Sequence, residues 1–169
     1  MHISSLNTVT ERQWQKQHQS VIDFIKYYGD KRITLDAFHK CSKLNRGTLQ
    51  HPGESLLIAT VRGDRGRSLA GVSFVSGFGE DVCLIVVHPL YRKRHVGTTL
   101  LSSQLAIIGH LSCHVALDNI SSLKMCFNAG LTGHSLMVGP TGKPTLKLEG
   151  SHTAITSNQE GEPKCQLPS

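Results

Sequence analysis

The sequence predicts an α/β domain of the mixed, α+β kind, and three observations predict it. Short apolar or alternating runs at Ser55–Val61, Leu69–Val75 and Val82–Val87 read as strands. Apolar residues at helical spacing mark two helices, through Trp14, Val21, Ile25 and Tyr28 and through Val96, Leu100, Leu101, Leu105 and Ile108. At 169 residues the chain is long enough for one sizeable core.

Taken in order, His2–Val9 is a short first strand and Thr10–Tyr28 an amphipathic helix stopped by Gly29-Asp30. Thr34–Leu44 is a second helix, and Arg46–Gly53 is rich in turn formers. The strands Ser55–Val61 and Leu69–Val75 join through Arg62-Gly63-Asp64-Arg65-Gly66-Arg67, which reads as a hairpin turn. Val82–Val87 is apolar throughout, as for a strand covered on both faces. After the helix from Val96 come a strand at Cys113–Leu117, a helix capped by Ser121 or Ser122 running to Asn128, and Gly130 as its left-handed stop. Strands at Ser135–Val138 and Thr145–Leu148 flank the turn Gly139–Gly142. The domain is expected over residues 1–150, followed by a polar, disordered tail over residues 151–169.

Composition narrows the partners. A net charge of +6 implies anionic ones, whether a phosphorylated small molecule, nucleic acid or an acidic substrate, or simply solubility. No apolar stretch is long enough to span a membrane, and Met1–Trp14 lacks the pattern of a secretory signal. Five cysteines form no CxxC pair, and Cys83 and Cys113 lie in apolar runs, so free thiols and a cytoplasmic setting are expected. Ten scattered histidines make no HExxH or Cys/His quartet, so no metal is expected.

Leu84–Leu101 is the most informative segment. A buried strand ends at His88-Pro89, and the loop Tyr91-Arg92-Lys93-Arg94-His95 is strongly basic. The helix that follows opens on small residues, Gly97, Thr98 and Thr99. A helix start offers free N–H groups and partial positive charge, so with cations beside it this is a seat for phosphate or pyrophosphate. The same loop also reads as a solvated basic turn or a nucleic-acid patch.

The element order β-α-α-β-β-β-α-β-α-β-β, with a basic loop after the fourth strand, resembles the GNAT superfamily of acyl-CoA-dependent N-acyltransferases. Arg92-Lys93-Arg94-His95-Val96-Gly97 is similar to that family's pyrophosphate loop, Gln/Arg-x-x-Gly-x-Gly/Ala, and Asp118–Leu131 to its strand end, Asn, helix and closing Gly pair. His95 stands where the first loop glycine is usual, Leu131 where the closing aromatic is, and Cys126 where a tyrosine acid often lies. The resemblance implies a mostly antiparallel sheet with strands 4 and 5 splayed, flanked by helices, and acetyl-CoA as acyl donor. It implies pantetheine and acetyl contacts at Val86, Val87 and His88. It places pyrophosphate contacts at Arg92, Arg94, His95, Val96, Gly97, Thr98 and Thr99. Asn119 would meet the pantetheine arm, with Ser122 beside it.

Catalysis then needs a base and an acid. Glu80 and Asp81, at the start of the fourth strand, are base candidates, since a carboxylate near an apolar pocket has a raised pKa; a plain polar turn is the alternative. His88 is a further base, and Cys126 is a candidate acid, because a thiol pKa near ~8.5 suits protonating a thiolate. The expected reaction moves an acetyl group to a primary amine by direct attack in a ternary complex. A non-catalytic CoA-binding module and a nucleic-acid-associated protein using Arg62, Arg65, Arg67 and Arg92–Arg94 are the rival readings. The acceptor is a small molecule or a protein, and the chain is expected to be a monomer or homodimer.

Overall fold

A computed structural model describes residues 1–64 and 66–152. The elements are β1 (His2–Ser5), α1 (Glu11–Tyr28), α2 (Leu35–Ser42), β2 (Ser55–Gly63), β3 (Gly66–Ser76) and β4 (Val82–Val87). There follow α3 (Val96–Ile108), β5 (His110–Ala116), α4 (Ile120–Asn128), β6 (Thr132–Val138) and β7 (Pro144–Ser151). β7 therefore runs past the expected domain end at residue 150, because Ser151 pairs with His110 across the ladder. The rest of the expected tail, with Cys165, lies outside the described residues.

Local chemistry sets the helix ends. Thr10 accepts from the Gln13 N–H while the Gln13 side chain accepts from the Thr10 N–H, a capping box that starts α1. Asn119, not Ser121 or Ser122, caps α4; its Oδ1 accepts from the Ser122 N–H at 3.3 Å. At the far end Gly130 takes φ 90°, and the Leu131 and Gly130 N–H groups donate to the Cys126 and Phe127 carbonyls. That is a Schellman stop, and it drives Leu131 into the core.

All strand pairs are antiparallel, and they form two sheets, β1-β2-β3-β4 and β5-β7-β6. No ladder joins β4 to β5. The two sheets meet where β4 begins. There Gly79, with φ +90°, packs so tightly on β5 that an added Cβ would overlap the Ser112 carbonyl. Beyond that contact no ladder pairs β4 with β5, and this unpaired interval is the V, closed at Gly79–Ser112.

Period-two alternation divides the core between the faces of the first sheet. Leu56, Ile58, Val72, Phe74, Leu84 and Val86 meet Trp14, Val21, Phe24 and Ile25 of α1. Leu57, Ala59 and Ala70 meet Val96 and Leu100 of α3. A third cluster joins α3 and α4 to the second sheet through Leu101, Leu105, Leu111, Cys113, Cys126 and Leu148. Gly71 lets α3 lie close on β3, since a Cβ there would come within 3.0 Å of Val96. Gln104 of α3 pins the helix from inside the core, donating to the Ser73 carbonyl and hydroxyl, both at 3.1 Å. β4 departs from the expectation of a strand covered on both faces. Val82, Leu84 and Val86 are buried, but Cys83, Ile85 and Val87 are only half-buried, because the sheet ends beside them in the open V.

Candidate active site

The open end of the V gathers the residues of the basic loop. His88 leaves β4 and caps a short turn, Pro89–Tyr91, by accepting the Leu90 N–H on Nδ1 at 3.1 Å. Its ring packs against Tyr28 at 4.3 Å and Tyr91 at 5.5 Å between centroids. Arg92 folds back so that its Nε donates to the Val87 carbonyl at 3.2 Å, tying the loop to the strand end. Lys93 and His95 both take left-handed backbone, at φ 59° and 58°. Turns of this kind aim successive N–H groups outward and make anion-binding nests. His95 thus adopts the conformation for which glycine is the usual residue, a strained placement of the sort found at functional sites.

No side chain caps the start of α3. The first-turn N–H groups, which have no partner inside a helix, therefore face the mouth beside Arg92, Lys93 and Arg94. Thr99 hydroxyl donates back to the His95 carbonyl at 2.9 Å, so it braces the turn. Gly97 lies against α4: a Cβ there would meet Met125 Sδ at 2.6 Å and Val87 Cγ2 at 3.5 Å. Val87, the loop, Gly97 and α4 therefore come together. Val86 is the exception on β4, because its side chain is buried toward α1 and it offers the mouth only backbone. Asn119 and Ser122 sit at the start of α4, with Asn119 Oδ1 spent on capping and its amide nitrogen left available.

The proton-transfer candidates scatter. Glu80 and Asp81 lie at the closed end of the V, about 20 Å along β4 from His88 at ~3.3 Å per residue. Their pKa values are lowered, the reverse of the raised values expected. Glu80 is held as a carboxylate mainly by Lys147, whose Nζ is 2.7 Å away, and Asp81 mainly by Lys40 at 2.6 Å. Both are half-exposed beside a lysine, and that contact outweighs the desolvation that would raise them. Asp81 turns toward α2, beside a groove of about 320 Å³ lined by Lys40, Lys43, Thr48, His51 and Glu54. Cys126 points into the core with Sγ 3.6 Å from Cys113 Sγ, and burial with that contact raises its pKa strongly. The argument from an ordinary thiol pKa thus fails for it.

Three groupings at the V have no counterpart in the sequence, although Glu80 and Val87 are singled out there individually. Asp118 accepts from Arg32 Nη1 at 3.1 Å and from Lys143 Nζ at 2.6 Å. These residues come from the α1–α2 loop, the β5–α4 loop and the β6–β7 turn, so the trio clasps the two halves across the open end. The second group is a chain of charges on the uncovered face of the second sheet: His114, Glu80, Lys147, Glu149 and His134. The third is the half-buried Ile85 and Val87 wall. Only tertiary contact unites the members of the first two groups, and no local spacing signals it. Among the described residues, no helix is long and apolar enough to cross a membrane.

A sheet split between β4 and β5, with an uncapped helix start at the mouth of the split, defines a class. Comparison with solved structures shows which: the chain has the fold of the GNAT N-acetyltransferases. A spermidine N-acetyltransferase SpeG chimera from Vibrio cholerae and hSSAT is similar with a TM-score of 0.62 at 13% identity, over 89% of this chain and 94% of that one. The NatC complex bound to Gag peptide and CoA is similar with a TM-score of 0.60 at 13% identity, over 90% and 100%. The aminoglycoside acetyltransferase AAC(6')-Ib, in complex with coenzyme A and kanamycin, is similar with a TM-score of 0.55 at 13% identity, over 89% and 95%. No family model matches the sequence, and no curated protein does.

Proposed function

We propose that the protein is an acyl-CoA-dependent N-acyltransferase that moves an acetyl group from acetyl-CoA to a primary amine by direct attack in a ternary complex. The observation that carries this reading is the open V itself. A half-buried apolar wall leads to an uncapped helix start ringed by three cations. The residues present fit the donor: the left-handed turns at Lys93 and His95, with the first-turn N–H groups of α3, suit a pyrophosphate. The exposed edge of β4 suits the amide-bearing arm, because its backbone groups have no strand to pair with on that side. Arg92 fixes the loop to Val87 and so sets the distance between the two subsites. Coenzyme A and the amine-bearing ligands named with the solved relatives agree with this assignment.

The test has two parts. At a concentration of 100 times Kd, acetyl-CoA is expected to stabilise the wild type by about 2.7 kcal/mol. Gly97→Glu and Arg94→Glu are expected to lose that stabilisation, the first by placing a carboxylate at the helix start, the second by reversing charge at an exposed loop position. Equal thermal shifts in wild type and both variants would overturn the site. Release of free thiol with spermidine, kanamycin or a peptide with a free α-amino group then separates an enzyme from a CoA-binding module.

A further inference from the structure

We infer that His114 of β5 is the base that accepts the amine proton, with Glu80 as its positioning carboxylate. This deepens the acyltransferase reading and rests on it. Four observations support it. Gly79 and Ser112 close the V, and His114 lies two residues further along β5, about 7 Å into the opening. Period two puts it on the face opposite Leu111, Cys113 and Val115, which are core residues, so its ring stands on the uncovered side where an acceptor approaches. Its Nε2 lies 3.9 Å from Glu80 Oε2. Among the described residues, its Nδ1 makes no hydrogen bond, unlike that of His88, which is spent on the Leu90 N–H.

Charge explains why the histidine and not the carboxylate takes the proton. Lys147, directly across the ladder from His114, holds Glu80 in its ionised form and lowers its basicity. The Glu80 carboxylate, 3.9 Å from Nε2, is placed to orient the imidazole ring. The other charged groups on this face are Glu149 on β7, His134 on β6 and His110 on β5. Glu149 is neutralised by Lys147 and His134. In the step, the amine nitrogen bonds to the thioester carbonyl carbon. The carbon–sulfur bond breaks and sulfur leaves with the electron pair as a thiolate. The proton from nitrogen passes to Nδ1 of His114, with Nε2–H turned to Glu80.

The experiment compares wild type, His114→Gln and Glu80→Gln in acetyl-CoA thermal shift and in pH–rate profiles, using whichever of spermidine, kanamycin or the free-amino peptide is acetylated fastest. His114→Gln is expected to keep the thermal shift and lose about 10²-fold in kcat, with the acid limb of the profile abolished. Glu80→Gln is expected to lower kcat about 10-fold with KM and the acetyl-CoA shift unchanged, a split a merely structural role would not produce. Full activity of His114→Gln with the limb intact would overturn this inference and leave the acyltransferase reading standing. Loss of the acetyl-CoA shift in His114→Gln would overturn it too, making the residue a binding group. A wild type that binds acetyl-CoA and acetylates none of the three amines would overturn both readings together.

Discussion

His95 carries the sharpest residue-scale consequence of the fold. A non-glycine side chain in left-handed backbone costs free energy, less for His than for a β-branched residue. Its placement at the first position before α3 is what turns the loop N–H groups outward. His95→Gly is therefore expected to hold or raise the melting temperature and to retain the acetyl-CoA shift. His95→Val should lose about 1–2 kcal/mol, because its Cβ branches clash at positive φ. Urea unfolding of the pair measures the difference; equal stability would mean that the turn relaxes and that its geometry is not specified. The loop's basic character was legible in sequence, and so was the question whether its first glycine position needs positive φ. The second left-handed residue, Lys93, carries no sequence signal.

Between elements, the Asp118 clasp joins three loops that are far apart in sequence. Lys143 first and Arg32 second hold the Asp118 carboxyl below its ordinary range. A depressed folded-state pKa adds stability that is present above the unfolded value near ~3.9 and is lost as pH falls through the lower folded value. Asp118→Asn should therefore lower the melting temperature slightly at pH 7, with the gap closing as pH falls below the ordinary carboxylate range. Salt should shrink the gap, since the pairs are exposed. A gap that persists unchanged in acid would show that Asp118 acts otherwise, for example through the backbone of the α4 start. Asp118 and Asn119 were readable as a strand end before a helix. Their partners were not, because the contact with Arg32 spans 86 positions of sequence.

For the whole molecule, the test concerns where the folded domain stops. Ser151 pairs with His110, and the His152 N–H donates to the Gly109 carbonyl at 2.8 Å. Ending the chain after His152 is expected to leave stability and the acetyl-CoA shift unchanged. Ending it at Gly150 should cost about 1–2 kcal/mol through the lost pairings. A large loss on ending the chain after His152 would mean that residues beyond it pack on the domain or complete an interface.

Sequence alone determined the elements and their order, because hydrophobic period, caps and turn residues are local signals. Trp14, Val21, Ile25 and Tyr28 mark α1; Gly130 stops α4; the run Val82–Val87 bounds β4 as observed. It also singled out the loop proposed to bind an anion, since strand, basic turn and small-residue helix start are contiguous. Tertiary structure decided the rest. Whether β4 and β5 pair or part depends on Gly79 meeting Ser112, a contact between segments more than thirty residues apart. Tertiary packing leaves Ile85 and Val87 half-buried, ties Glu80 to Lys147, and sets His114 beside Glu80. Those properties belong to neighbours across the sheets, and a linear pattern holds no record of which strand lies beside which.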